Sequence, residues 1–381
     1  MIRTKPMSQL RQYFLFKNIG YILFLIVFTL VALEIILHFY NPWASRVKGN
    51  KIILPVNKVY NIDGGDRPRF DKKIFHSKNS LGFRGAEKPA NFDNHLSIIT
   101  VGGSTTECFF LSDDRTWQFH LEQKLKSKFK DIWVNNAGLD GHSTFGHQIL
   151  LDDYITKIKP KIILFLVGVN DVGREDLKDH DRNNLIDASV TWSDWLAKRS
   201  ELFNLILTYK RAKAAEGRGG GHINLNFAQM ETLPLSDDKI KNELAKHAEM
   251  VKNFKRRLLK LVETCRQAGI EPILLTQPTI VGKGFDELTG TDLENIRVDD
   301  QTNGKLYWLT VELYNQQTRD VGMETNSKVV DLSNLLPKSS LYFYDTNHYT
   351  NEGAAKISEI SDEQLTPHLK ENYSSFELSG K

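Results

Sequence analysis

From His95 onward the chain alternates short apolar runs with stretches of helical spacing. Residues 98–101 are mainly apolar, residues 117–129 repeat apolar positions at three and four, and residues 132–135 are mainly apolar again. That is the syntax of strand, helix and parallel strand. Helical spacing over residues 147–158 leads into Ile162, Ile163, Leu164, Phe165, Leu166 and Val167, a run apolar on both faces, as expected of a central parallel strand. Further strands are expected at residues 270–275 and 328–332. Before them Ile240, Leu244, His247, Val251, Phe254, Leu258, Leu261 and Cys265 recur at three and four, predicting one long amphipathic helix with Lys and Arg on its solvated face.

The amino-terminal part follows a different rule. Residues 19–40 are almost continuously apolar and as a helix would reach roughly 33 Å, against about 30 Å of bilayer hydrocarbon. A transmembrane helix is expected there, with residues 1–18 as a cytoplasmic tail. Glu34 is its one charge, placed towards the distal end, where snorkelling lowers the cost. A cleaved signal peptide is the rival account. Against it stand the length of the run and the sequence Phe39-Tyr40-Asn41-Pro42-Trp43 after it, which lacks a small-x-small cleavage site. Arg3, Lys5, Arg11 and Lys17 precede the span and Arg46, Lys48 and Lys51 follow it, so both flanks are basic. The terminal amine and the lack of acid on the first flank favour a cytoplasmic start and an extracytoplasmic main domain, with Tyr40 and Trp43 at the outer interface.

Two segments break the alternation. In residues 41–94, Pro, Gly, Asn and Lys interrupt any period, and the segment is expected to be a spacer without a core of its own. The main domain then covers residues 95–370, followed by a tail at 371–381. Residues 173–238 are expected as an insertion holding Trp192, Trp195 and the loop Glu216-Gly217-Arg218-Gly219-Gly220-Gly221. No strand leads into that loop and no Lys-Ser/Thr follows it, so it does not match a phosphate-binding loop. A lid over a site is a role such an insertion can take.

Composition removes some function classes. The formal net charge is +3, from 50 basic and 47 acidic residues, which gives no electrostatic case for nucleic acid. Cys108 and Cys265 are the only cysteines, too few for a disulfide framework, and could be linked or free. Oligomeric state is not legible.

Candidate chemistry lies at the predicted strand ends. Ser104 stands in Val101-Gly102-Gly103-Ser104-Thr105-Thr106, at the carboxyl end of the first strand, where open α/β sheets place ligands. A serine hydroxyl needs a base to become nucleophilic, and Asp345-Thr346-Asn347-His348 supplies one in His348, with Asp345 to orient it. Acyl transfer also needs donors for an oxyanion. Gly138, in Asn136-Ala137-Gly138, can offer its amide, and Asn170, in Gly168-Val169-Asn170-Asp171, its side chain, beside the amide of Ser104 itself. Taken alone, Gly138 reads as a turn glycine and Asn170 as an Asx-turn residue, while Asp171 would fix the turn.

Together these four blocks resemble the SGNH (GDSL-like) hydrolases, over about residues 97–365. Asn79-Ser80-Leu81-Gly82-Phe83-Arg84 is similar to an upstream extra of some bacterial members. The resemblance implies a flavodoxin-like three-layer α/β/α sandwich with a central parallel sheet, and esterase, lipase, carbohydrate deacetylase or acyltransferase activity without metal or organic cofactor. It implies Ser104 as nucleophile, His348 as base, Asp345 as its orienter, and Ser104, Gly138 and Asn170 as the oxyanion hole. Two departures stand out: Gly-Gly-Ser replaces the frequent Gly-Asp-Ser, and Glu107-Cys108-Phe109-Phe110 follows where an aromatic and Gly are common.

The expectation is therefore a membrane-anchored serine esterase or deacylase acting on a small ester, such as an O-acetylated carbohydrate of the envelope of a bacterial cell. An O-acyltransferase of an exported polysaccharide and a catalytically silent binding module are the alternatives. Other residues invite weaker readings. His142, His147, Asp152 and Asp153 match no metal-ligand spacing. Cys108 reads as a packed thiol rather than a reactive one. Trp192, Trp195 and Trp308 can stack on sugars or simply pack.

Overall fold

The computed structural model describes residues 7–41, 46–65, 69–174, 191–215, 222 and 224–378. Arg3, Lys5, Trp43 and the Glu216 to Gly221 loop lie outside the described residues. The chain divides into two units, residues 1–53 with 190–213, and residues 54–189 with 214–381.

The larger unit is built on a five-stranded, all-parallel sheet. Its spatial order is Ile132–Asn136, Leu96–Gly102, Ile162–Leu166, Glu271–Leu275, Val329–Val330. The first three strands are buried along their whole length, including the polar Ser97, Thr100, Asn135 and Asn136, and Ile162–Leu166 reads as an unbroken apolar run for that reason. Trp117–Lys126 packs with Asn351–Asn372 in one helical layer. Ala248–Gln267 packs with Thr144–Leu150 and with Gly304–Glu324 in another. The main core joins Leu96, Ile98, Ile162 and Leu164 to Trp117, Leu121, Leu125, Ile357 and Leu365. Each such aliphatic side chain contributes about 1.5–3 kcal/mol when fully buried.

Three expectations need correction. The long helix is two, Asp237–Ala245 and Ala248–Gln267, and the pieces pack separately on Gly304–Glu324. The break falls at Lys246 and His247, where no Gly or Pro signals it. The helix expected over residues 147–158 starts at Thr144 and contains a π turn at Leu151–Ile155. Residues 41–94 are not a featureless spacer. Lys58–Asp63 pairs antiparallel with Lys73–Lys78, and Arg84 pairs with Asn136 at the sheet margin. The side-chain amide of Asn79 donates to Asn135 at 2.7 Å. Beyond the last helix, Lys130 N–H donates to Phe376 O at 2.8 Å, so part of the tail also packs back.

The smaller unit holds the helix Met7–Phe39, whose apolar part is Phe16–Phe39. It also holds a short hairpin of Val47–Lys48 and Lys51–Ile52, and the helical segment 192–213. The expected insertion is thus divided, residues 191–213 belonging here and its other described residues, among them 173–174 and those from His222 on, to the larger unit.

Candidate active site

The strand order reverses at Leu96–Gly102, because the chain leaves it for Ile132–Asn136 on one side and returns to Ile162–Leu166 on the other. A crevice for ligand opens at such a reversal, beyond the carboxyl ends of the strands. Gly103 and the four-residue helix Ser104–Glu107 follow one of these strands, and the turn Val169–Asp171 follows the other.

Gly103 makes the close approach possible. A Cβ there would lie 2.1 Å from Asn170 Nδ2, so only glycine lets the Asn170 amide stand beside the backbone that leads into Ser104. Asn170 is held by a bond from its Nδ2 to His142 O at 3.0 Å. Asp171 fixes the turn, accepting from Thr144 N–H at 3.2 Å and from Arg257 at 3.1 Å. The Ser104 amide opens its helix and has no upstream carbonyl within it. Gly138 sits against the same helix, and its amide donates to Asn136 Oδ1 at 2.8 Å. A role as oxyanion donor would require Gly138 to share or release that bond.

The distant block is folded into a tight loop by pairing of Phe343 with Tyr349, with Tyr344 N–H donating to His348 O at 3.1 Å. Inside it Asp345 Oδ1 accepts from the amides of Asn347 at 3.0 Å and His348 at 2.8 Å. Asp345 Oδ2 lies 2.6 Å from His348 Nδ1, and His348 Nε2 lies 2.7 Å from Ser104 Oγ. Burial would raise the Asp345 carboxyl, but the charge and hydrogen bonding of His348 and the two amides outweigh it and hold the group below the usual carboxylate value. An ionised Asp345 places the imidazole proton on Nδ1, leaving the Nε2 lone pair to accept from Ser104.

The departing sequence Glu107 to Phe110 is supported from residues the spacer reading overlooked. Arg84 donates to the carbonyls of Glu107 at 2.8 Å, Cys108 at 2.7 Å and Leu111 at 2.7 Å, and pairs with Asp113 at 2.7 Å. Lys78 pairs with the buried Glu107 at 3.0 Å, and the other Glu107 oxygen accepts from Asp140 N–H at 2.6 Å. Cys108 ends the helix at φ 52°, and burial pushes its thiol up to about 12, so it is a packed wall residue. Cys265 is likewise buried and free. The only sequence signal for this brace was the Asn79 to Arg84 motif.

His222 carried no sequence signal at all. Its ring centre is 4.2 Å from that of His348, and its Nδ1 lies 2.6 Å from the Tyr344 hydroxyl. Tyr344 stacks on His348 with ring centres 5.6 Å apart. A small, partly open cleft lies here, lined by Ser104, Cys108, Phe110, Leu111, Tyr344 and Tyr349 among others.

Among the described residues, one group of metal-ligating side chains converges, His222, Asp345 and His348, with donor atoms within 4.8 Å of one another. Both His348 nitrogens already engage Asp345 and Ser104. His142, His147, Asp152 and Asp153 do not form such a group. His142 and His147 are buried, and burial first, then His142, pushes His147 down to about 3. Trp308 is partly buried against the core, with the Lys338 ammonium 5.5 Å over its ring.

The model of the GDSL-like Lipase/Acylhydrolase family matches residues 100–356. No curated protein matches the chain. Similar solved structures include Axe2, an acetylxylan esterase from Geobacillus stearothermophilus, at 13% identity and a TM-score of 0.41 over 71% of this chain and 93% of that one. The psychrotrophic esterase EstA from Pseudoalteromonas sp. is 14% identical with a TM-score of 0.41, over 72% of this chain and 99% of its own. A member of the lipolytic protein G-D-S-L family from Veillonella parvula is 14% identical with a TM-score of 0.39, over 71% and 98%.

Proposed function

Because the chain belongs to the GDSL-like lipase/acylhydrolase family and is an ester-cleaving serine hydrolase, we propose that it removes a small acyl group from an O-acylated carbohydrate of the cell envelope through an acyl-enzyme on Ser104. The observation that carries this reading is the unbroken chain from Asp345 through His348 to Ser104, at 2.6 and 2.7 Å, facing the small cavity.

In this reading Ser104 Oγ attacks the ester carbonyl while His348 Nε2 takes its proton. The developing oxyanion is met by the Ser104 amide and the Asn170 side chain, with Gly138 joining if its bond to Asn136 is shared. Collapse expels the alcohol, which receives the proton from His348. Water then repeats the sequence to free the acid and regenerate Ser104. Asp345 stays ionised and stabilises the transient imidazolium.

Small acyl groups are favoured because the cleft beside Ser104, lined by Cys108, Phe110, Leu111 and Tyr349, is small. Tyr344, which lines the cleft and packs edge-on against Phe70 with ring centres 4.8 Å apart, offers an aromatic surface to the apolar face of a sugar ring. Envelope location follows from reading Phe16–Phe39 as a single membrane span, with an extracytoplasmic hydrolase domain in a bacterial cytoplasmic membrane.

Rates on p-nitrophenyl acetate, butyrate and octanoate test the acyl preference, with acetate expected to be fastest; an octanoate preference overturns it. Acetate release from acetylated saccharides tests the alcohol part. Transfer of the acyl group to an added saccharide in preference to water would instead assign an acyltransferase.

A further inference from the structure

The apolar helix carries a carboxylate, Glu34, and the fold uses it. Glu34 accepts from the amide of Glu201 at 2.6 Å, the amide of Leu202 at 3.1 Å and the hydroxyl of Ser200 at 2.8 Å. Those amides open the helix Glu201–Ala215, where no upstream carbonyl of the helix can meet them. A side chain of the anchor therefore caps a helix more than 160 residues away in sequence. Removing the anchor as a signal peptide would leave these donors without that partner.

Position along the anchor sets the depth. Glu34 precedes the last helical residue, Phe39, by five positions, or roughly 7.5 Å along the axis. That is the zone, about 5–10 Å deep, where amphipathic helices lie at the boundary of headgroups and acyl chains. The corner formed by Ser200, Glu201 and Leu202 is pinned at that level.

The surface of the pinned segment has matching chemistry. Trp192 and Trp195 are 76% and 54% exposed, and Ile206 and Tyr209 are 47% and 63% exposed. Arg199 covers the Trp195 ring at 4.1 Å, and Lys210 and Lys213 are exposed on the helix that bears Ile206 and Tyr209. The acids of the segment are engaged: Asp194 is buried and pairs with Arg211 at 2.6 Å, and Glu201 pairs with Lys48. What faces outward is thus aromatic, aliphatic and cationic. Trp and Tyr favour the membrane interface, and Lys and Arg near it are attracted by anionic lipid.

We propose that residues 191–213 are a second membrane contact, lying in the interface beside the span, with Trp192, Trp195, Ile206 and Tyr209 at the acyl boundary and Arg199, Lys210 and Lys213 on lipid phosphates. The partner is an anionic phospholipid bilayer. The inference rests on Phe16–Phe39 being a membrane span.

The test uses the full chain in nanodiscs of phosphatidylcholine and phosphatidylglycerol, with an environment-sensitive fluorophore on Trp195→Cys or Tyr209→Cys and brominated acyl chains as quencher. Cys108 and Cys265 are buried and should not label. Phe28→Cys reports the span, and Lys252→Cys, on an exposed side chain, reports water. Labels at 195 and 209 are expected to be quenched about two-fold or more relative to the one at 252, as interfacial depth requires. Replacing phosphatidylglycerol by phosphatidylcholine should weaken that quenching. Quenching at 28 with none at 195 and 209 overturns the interfacial contact while the span stands. No quenching at any of the three removes both. Labels at 195 and 209 shielded from water yet untouched by the lipid quencher would mean a protein partner, which also overturns the proposal.

Discussion

Asn170 stands where a side chain on Gly103 would have to go, its amide nitrogen 2.1 Å from the Cβ position of that glycine. The pair couples the turn of the proposed nucleophile, Ser104, to the proposed oxyanion donor, Asn170. Asn170→Ala removes the donor, and Gly103→Ala displaces it. Each is expected to lower kcat on an aryl ester by about 10²–10³ with little change in KM. The double variant should be no worse than either single one, because both remove the same interaction. Steady-state kinetics with circular dichroism as a fold check decides this. A wild-type kcat for Asn170→Ala would remove the side chain from the oxyanion site.

Lys78 pairs with the buried Glu107, the last residue of the helix that begins at Ser104. Lys78→Met leaves the Glu107 carboxylate buried without its cation and is expected to destabilise the fold by about 3–5 kcal/mol. Adding Glu107→Gln should recover part of that loss. Urea denaturation of the two variants measures it, and an unchanged midpoint for Lys78→Met would contradict the bracing role.

Acid should weaken the fold through its buried histidines. Burial pushes His76 and His147 down to about 3 from an ordinary 6.5, so the folded chain keeps them neutral while the unfolded chain protonates them. The unfolded state then binds more protons, and stability falls as pH drops from 6.5 towards 3. Asp345 acts lower: its stabilisation is complete above its ordinary 3.8 and is lost as pH falls through its depressed folded value. His147→Gln should reduce the slope of unfolding free energy against pH between about pH 4 and 6 by about 1.4 kcal/mol per unit, one proton's worth. An unchanged slope would show that His147 is not held neutral.

How far the sequence anticipated this follows from what each feature depends on. Strands such as Ile162–Leu166 were legible because burial on both faces forces an unbroken apolar run. Ser104, Asn170, Asp345 and His348 were legible because each sits in a short block whose glycine or acid has a local reason. The break at Lys246 and His247 was not, since tertiary packing sets it without a breaker residue. Arg84 and Lys78 reach the Ser104–Glu107 helix from an antiparallel hairpin region that polar spacing had disguised. His222 meets His348 only in three dimensions. Glu34 looked like a flaw in an apolar helix because its partners lie far along the chain.

Replacement of Ser104 tests the account most directly. The wild-type chain should take up one fluorophosphonate group, found by mass spectrometry on the peptide containing Ser104, and lose esterase activity as it does. Ser104→Ala should bind no probe and turn over aryl acetate more slowly by about 10³-fold or more, with the fold intact. Retained turnover in Ser104→Ala, or labelling at another serine that tracks the loss of activity, would contradict it.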